Sequence, residues 1–133
     1  MERRNFLKNS SLAAAVGAGL VLSSCNGDND QKLGNSQIQH GVIFTLKHDR
    51  GSVEAKNFLE DGRRILTGIP TVRHFQVFKQ VSRKNEYEYG FTMVFDSQED
   101  YETYNNHPDH VAFVEERWKK EVENFLEIDF EVY

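Results

Sequence analysis

The residues best suited to proton chemistry lie close together in the second half of the chain. Tyr104, His107 and His110 fall within seven residues, with Pro108 between the two histidines. A neutral imidazole accepts a proton near pH 7, and a phenol O–H can stabilise a developing oxyanion. Because proline favours the first position of a helix, this spacing predicts that Tyr104 closes one helix and His110 begins the next. The bend between the helices can direct both side chains toward one cavity.

Each histidine also has a structural interpretation. His107 is placed to cap a helix, and His110 can hold the bend by a hydrogen bond to the backbone. His40 lies on an apolar strand face, where it is either a satisfied core histidine or a polar group of a pocket. The histidines at 107 and 110, with Asp109 between them, are too close in sequence and lack a fourth partner, so they do not predict a metal site. The functional and structural interpretations stay open at this point.

Hydrophobic periodicity predicts the order β-α-β-β-α-α-β over residues 37–133. The predicted strands are 38–46, 72–81, 87–95 and 125–132, and the predicted helices begin after Ser52, after Ser97 and at Pro108. Gly68 is expected to end the first helix, and the third is expected to run to about 123 with an apolar stripe of Val111, Val114, Trp118 and Val122. This order is that of a ferredoxin-like α+β fold, with helices on one face of a four-stranded antiparallel sheet.

The sheet face opposite the helices is predicted to be an interaction surface. With His40 and Phe91 placed toward the helices, period-two alternation assigns four apolar residues to the open face: Ile43, Phe75, Val77 and Val94. The last strand is expected to place Leu126, Ile128, Phe130 and Val132 on one face. An exposed apolar sheet face is a common interaction site. We therefore expect a homodimer in which two such sheets pair to form an α/β barrel.

The composition and length of the chain exclude several classes of protein and of binding site. The 133 residues carry a formal net charge of −5, which argues against a nucleic-acid-binding protein. A single cysteine excludes an intramolecular disulfide and a cysteine-rich metal centre. The chain is too short for two ordinary domains, so a single domain over residues 37–133 is expected.

The N-terminal segment resembles a bacterial export signal. Arg3 and Arg4, followed by Asn5-Phe6-Leu7-Lys8, match the twin-arginine pattern, and the apolar run over residues 12–22 is too short to span a membrane. Leu22-Ser23-Ser24-Cys25 resembles a lipobox, which is cleaved before a cysteine that then carries lipid. Residues 1–24 are therefore predicted to be a signal peptide and residues 25–36 a flexible tether. An ordinary signal with a coincidental cysteine is the alternative.

Four segments of the folded part resemble the stress-responsive dimeric α/β-barrel (Dabb) family. They are His40-x-Val42-x-Phe44-x-Leu46-Lys47, Phe95-Asp96-Ser97, Tyr104-Asn105-Asn106-His107-Pro108-Asp109-His110-Val111 and Ile128-Asp129-Phe130. The resemblance implies a homodimeric ferredoxin-like domain. Most members lack an assigned activity, but one plant relative is a polyketide cyclase that needs neither metal nor organic cofactor.

The resemblance also implies roles for individual residues. In the plant cyclase the tyrosine and second histidine of the motif act together, which makes Tyr104 and His110 the candidate catalytic pair. The candidate ligand-binding residues are His40, His107, Phe91 and Trp118, of which the two aromatic residues have core packing as their alternative role. No metal or cofactor is expected.

The favoured functional interpretation is a dimeric barrel at the cell envelope, periplasmic or surface-facing, that is anchored by lipid at Cys25. Such a protein is expected to bind a small apolar or carbonyl ligand and no nucleic acid. A cofactor-independent lyase or cyclase is the first alternative. A haem- or metal-dependent monooxygenase-like enzyme is the second.

Overall fold

The element order expected from periodicity is confirmed in the computed structural model, which describes residues 32–133. The strands are β1 (Ile38–Leu46), β2 (Arg73–Lys79), β3 (Tyr89–Phe95) and β4 (Val122–Phe130). The helices are α1 (Val53–Thr67), α2 (Gln98–Asn106), α3 (Pro108–Phe113) and α4 (Lys119–Glu121), with a π-helical turn at Val114–Trp118 between the last two. The predicted signal peptide, the lipidated Cys25 and the tether up to residue 31 lie outside the described residues.

The sheet has the order β2-β3-β1-β4, and every neighbouring pair is antiparallel. The helices pack on one face, and alternate residues of the central strand β1 point toward them, as the period-two pattern predicted. These buried residues are Ile38, His40, Val42, Phe44 and Leu46. The register places His40 opposite Met93 on one side and Asp129 on the other. One polar residue of β1 is therefore carried into the apolar interior.

The predicted helix signals are confirmed by their hydrogen bonds. Ser52 Oγ accepts from the Ala55 N–H at 3.2 Å and begins α1, and Ser97 Oγ accepts from Asp100 at the start of α2. Gly68 follows the last residue of α1. None of the helices within residues 32–133 is long and apolar enough to cross a membrane.

A close approach between α1 and the sheet requires glycine at position 62. A Cβ atom there would lie 2.9 Å from Cζ of Phe91 and 3.3 Å from Cζ of Phe113. The Phe91 ring is stacked with that of Phe58 and is 1% exposed, so it has no room to move aside. Gly62 thus allows the aromatic core to reach the helix backbone.

Strand β2 departs from simple alternation, and the prediction that Phe75 and Val77 lie on the open face is wrong. A β-bulge between Arg73 and Gln76 includes His74, whose φ of 52° is in the left-handed region. The extra residue reverses the side on which the following residues point. Val77 therefore pairs with Phe91 on the helix side, and the Phe75 ring lies 5.3 Å from the Phe91 ring.

The open face itself is apolar, as expected, but its residues come mainly from β4. The register places Ile43 and Val94 on this face, as predicted. Four large side chains on it are about half exposed: Phe78 at 47%, Leu126 at 50%, Ile128 at 44% and Phe130 at 54%. Strand β4 ends at Phe130, so the prediction that Val132 continues the strand is wrong.

The third predicted helix is shorter and less regular than expected. It is interrupted by the π-helical turn and ends at Glu121, and Val122 already begins β4. In the expected stripe the assignment of Val111 is wrong, since Val111 is 47% exposed whereas Phe113 is 3% exposed and belongs to the core. Val122 is buried and Trp118 packs against the core, as expected. A π-helical turn adds residues to the helical repeat, so side chains on either side of it no longer follow a 3.6-residue spacing.

Candidate functional site

A cavity of about 370 Å³ lies on the helix side of the sheet. Each surrounding element contributes to its wall: His40 and Val42 from β1, Leu66 from α1, Tyr104 and Asn105 from α2, His110 and Phe113 from α3, Val114 and Trp118 from the π-helical turn, Lys119 from α4, and Phe125 and Glu127 from β4. Most of this wall is apolar or aromatic. Its few polar groups are therefore well placed to fix the orientation of a bound molecule.

The cavity brings together four of the six residues suggested by the sequence: His40, Tyr104, His110 and Trp118. His107 and Phe91 do not line it. His107 lies at the junction of α2 and α3, where its Nδ1 accepts from the Asp109 N–H at 3.1 Å. Phe91 is 1% exposed and packs among the rings of the core. Their observed contacts are those of a helix cap and a core residue.

Tyr104 and His110 are direct neighbours in the cavity wall. Their ring centroids are 4.3 Å apart, because the bend at Pro108 turns the end of α2 toward the start of α3. Tyr104 is 3% exposed, and burial, with smaller contributions from Tyr101 and Glu127, raises the pKa of its phenol above the ordinary value. The phenol therefore stays protonated at neutral pH and acts as a hydrogen-bond donor.

The imidazole of His110 has one nitrogen bound to the protein. Nδ1 donates to the backbone oxygen of Asn105 at 3.0 Å, so in the neutral ring the free lone pair is on Nε2. Burial lowers the pKa of His110, and the Asn105 carbonyl opposes this effect without cancelling it. The ring is consequently a neutral acceptor at pH 7. Both sequence-based interpretations of His110 fit the structure, since one nitrogen ties the bend while the ring lines the cavity.

His40 is held by two side chains that the sequence analysis did not assign to the site. Its Nδ1 lies 2.6 Å from Oδ1 of Asp129 and 2.7 Å from the Tyr101 hydroxyl. The same hydroxyl donates to the Asp129 carboxylate at 3.1 Å. Two sequence features agree with this cluster but do not specify it: Tyr101 precedes Tyr104 by one helical turn, and Asp129 alternates with the apolar residues of β4. Burial and the charge of Asp129 raise the pKa of Tyr101 above its ordinary value.

The π-helical turn that carries Trp118 is fixed by an ion-pair network. Arg117 Nη1 contacts Asp61 Oδ2 on α1, and Arg117 Nε contacts Glu121 Oε2, both at 2.5 Å. His48 Nε2 lies 2.7 Å from the other oxygen of Glu121. The Arg117 guanidinium lowers the pKa of Asp61, which keeps this carboxylate charged. The Trp118 side of the cavity is therefore tied to α1 and to the loop after β1.

Among the polar groups of the cavity wall, one phenol donor, Tyr104, lies beside a neutral imidazole acceptor, His110. This combination can hold a carbonyl oxygen through Tyr104 and accept a proton at His110. Within residues 32–133 there is no cluster of three or more His, Cys, Asp or Glu side chains that could hold a metal ion.

The fold and this cavity define a ferredoxin-like domain with a pocket between sheet and helices. Residues 38–132 match the model of the stress responsive A/B barrel domain, Dabb, and the chain belongs to this family. A search among proteins of curated function gives no match.

Solved structures extend the comparison. A Dabb family protein with a ferredoxin-like fold from Mesorhizobium loti is 52% identical, with 73% of this chain and 97% of that chain covered and a TM-score of 0.72. A dimeric ferredoxin-like protein from Bacteroides fragilis is 24% identical, with coverages of 76% and 100% and a TM-score of 0.58. A hydroxynitrile lyase from Passiflora edulis is 12% identical, with coverages of 75% and 96% and a TM-score of 0.66. The last two show a shared fold only.

The stability of two variants can separate the functional from the structural role of the pair. Tyr104→Phe is expected to change the free energy of unfolding by no more than about 0.5 kcal/mol, since the lost hydroxyl has no hydrogen-bond partner among residues 32–133. His110→Ala is expected to cost about 1 kcal/mol, because the Asn105 carbonyl loses its donor. Chemical denaturation at unchanged slope measures both. Losses of 1–3 kcal/mol in both variants would indicate a purely structural junction.

The lowered pKa of His110 predicts a dependence of stability on pH. The folded-state pKa lies below the unfolded value of about 6.5, so the unfolded chain binds the proton first as the pH falls. The contribution of neutral His110 to the free energy of unfolding is therefore complete above about pH 6.5. It is lost as the pH falls through the pKa of His110 in the folded state. Denaturation midpoints at several pH values should show a steeper loss on acidification for the wild type than for His110→Gln. Parallel curves would contradict a lowered pKa.

Proposed function

We propose that this protein binds a compact, largely apolar carbonyl compound in the cavity beside Tyr104 and His110. The observation that carries the proposal is the adjacency of a protonated phenol and a neutral imidazole, 4.3 Å apart, in an otherwise mostly apolar pocket. A carbonyl oxygen accepts the hydrogen bond that Tyr104 donates. Because an apolar cavity of about 150 Å³ already holds benzene, 370 Å³ admits a substituted ring or a medium-length chain.

A second candidate function uses the same two residues as a catalytic pair. His110 Nε2 would take a proton from the carbon next to the carbonyl, and the Tyr104 O–H would stabilise the enolate oxygen that forms. The lowered pKa of His110 favours this possibility, because only the neutral ring can act as a base. This describes a cofactor-independent lyase or cyclase. The hydroxynitrile lyase shares only its fold with this chain, so its substrate does not identify a substrate for this protein.

A thermal-shift screen of small aldehydes and ketones tests the binding proposal. A ligand at 100 times its dissociation constant adds about 2.7 kcal/mol of stability, which raises the melting temperature by roughly 10 °C or more. The shift should be strongly reduced in Tyr104→Phe. Tyr89→Phe is the matched control, since its hydroxyl accepts from the Gly51 N–H and does not line the cavity. Equal shifts in wild type and Tyr104→Phe, or no shift with any compound, would contradict the proposal.

We further propose that two copies pair through their open sheet faces. Support comes from the half-exposed Leu126, Ile128 and Phe130 of β4 and from Phe78 of β2, which form one apolar surface. Gly41 and Gly90 lie among these residues, which makes the face shallowly concave and open to a partner. The Bacteroides relative is described as dimeric, which supports the pairing of two copies without specifying the face.

The cellular location that we propose is the bacterial envelope, with a lipid anchor at Cys25. Support comes from the twin-arginine motif at Arg3 and Arg4 and from the single cysteine at the end of a lipobox-like sequence. Cys25→Ser is expected to abolish metabolic lipid labelling, and the double change Arg3→Lys and Arg4→Lys is expected to block export. An unlabelled wild-type protein recovered in the cytoplasm would contradict the proposed anchor.

A further inference from the structure

His40, which lines the cavity, is held by two side chains at the same ring nitrogen. Its Nδ1 lies within hydrogen-bond distance of both Asp129 and Tyr101, and Tyr101 also bonds the Asp129 carboxylate. A carboxylate only accepts, so Nδ1 must carry a hydrogen, and the Tyr101 oxygen shares it while its own O–H donates to Asp129. The three side chains form a closed triangle that fixes both the orientation and the tautomer of the imidazole.

The other nitrogen of His40 faces the cavity. Nε2 has no hydrogen-bond partner among residues 32–133, and His40 is part of the cavity wall. Within the described residues, only the Thr71 hydroxyl is a side-chain polar atom that is both fully buried and unpaired. The unpaired Nε2 of His40 is therefore not fully buried, and a molecule in the cavity can reach it. In the Nδ1–H tautomer, Nε2 carries a free lone pair and can accept a hydrogen bond from a bound molecule.

We propose that His40 is a second polar subsite, at which Nε2 accepts a hydrogen bond from a hydroxyl group of the ligand. Asp129 and Tyr101 are its positioning residues. The inference rests on the proposed function and deepens it, because it names the ligand class as hydroxylated carbonyl compounds. The His40 and Tyr104 rings are 6.3 Å apart, so one substituted ring reaches both groups. Tyr104 meets the carbonyl oxygen, and His40 meets the hydroxyl.

Asp129 is the member of the triangle on which the tautomer depends. It lies on β4 at the edge of the sheet, its side chain is 45% exposed, and it can be replaced without opening the core. Without the carboxylate, the Tyr101 oxygen is the one remaining group within residues 32–133 that favours a hydrogen on Nδ1. The side-chain oxygen of an asparagine can still accept a hydrogen bond from Nδ1. Asp129→Asn should therefore keep the Nδ1–H tautomer of His40, whereas Asp129→Ala should lose it.

Ring ¹⁵N spectroscopy of the histidines tests the tautomer without any ligand. The wild type and Asp129→Asn are expected to show His40 protonated on Nδ1 and not on Nε2, at a pH where the ring is neutral. Asp129→Ala is expected to shift the ring toward the Nε2–H form. A wild-type His40 that carries its hydrogen on Nε2 would overturn the proposal, as would an unchanged tautomer in Asp129→Ala.

A pair of probes tests the ligand class. Acetophenone offers a carbonyl alone, and meta-hydroxyacetophenone adds a phenolic O–H. In the wild type and in the control Tyr89→Phe, the hydroxylated probe is expected to bind about tenfold more tightly, the effect of one good hydrogen bond. This preference should disappear in Asp129→Ala. Equal affinity of the two probes in the wild type would overturn the subsite alone, whereas binding of neither would overturn the proposed function and this ligand class with it.

Discussion

Ile128→Glu is expected to convert the proposed dimer into a folded monomer. Ile128 is 44% exposed in the single chain and lies opposite Gly41 on the open sheet face. In the isolated domain a glutamate there stays solvated, so the fold should persist. Between two paired sheets the carboxylate would be buried without a partner, at a cost of several kcal/mol, and two-fold symmetry places it in the interface twice. We expect dimerisation to weaken by at least about a thousandfold, measured by light scattering of the chain without residues 1–24.

Val111→Glu is the matched control for this experiment. Val111 is 47% exposed, nearly as much as Ile128, but it lies on α3, on the opposite side of the sheet. The control should remain dimeric. A wild-type monomer at micromolar concentration, or equal dissociation of both variants, would show that the open face is not the interface.

Phe91→Ala is expected to cost about 3–5 kcal/mol of folding free energy, the usual loss for a large buried aromatic residue. The Phe91 ring is 1% exposed and contacts Phe44, Phe58 and Phe75. Domains of this size are stable by only about 5–15 kcal/mol, so the variant should unfold at a much lower denaturant concentration. This result would assign Phe91 to the core rather than to the ligand.

Phe125→Ala is the comparison for the core substitution. Phe125 is 51% exposed and contributes to the cavity wall through its contact with Trp118. Its removal is expected to leave most of the stability and to change ligand affinity. Stability losses of similar size at the two positions would contradict the division between core and cavity wall.

The elements that alternate or cap regularly were predictable from sequence. The buried side chains of β1 follow the period-two pattern, with only Gly41 also buried on the other face, and Ser52 and Ser97 cap helices where expected. The pairing of Tyr104 with His110 also follows from local sequence, because Pro108 determines the bend between their helices. Local rules were sufficient here since each feature involves residues only a few positions apart.

The features that were missed involve irregular backbone or long-range contacts. The bulge at His74 and the π-helical turn after Phe113 each shift the side-chain pattern, and neither leaves a clear mark in composition. The triangle around His40 joins residues that are 61 and 89 positions away in the chain. Single-sequence periodicity cannot place Asp129 beside His40, because that contact depends on the order and register of β1 and β4.

The most direct test of the ligand site is a titration with acetophenone followed by the ring signals of the five histidines. If the cavity is the site, the signal of His110 should move in a saturable way, and that of His40 should respond with it. His74, which lies exposed on the bulge of β2, should not move. A titration that leaves His110 unchanged, or that shifts His74 equally, would contradict the assignment of a carbonyl-binding site to this cavity.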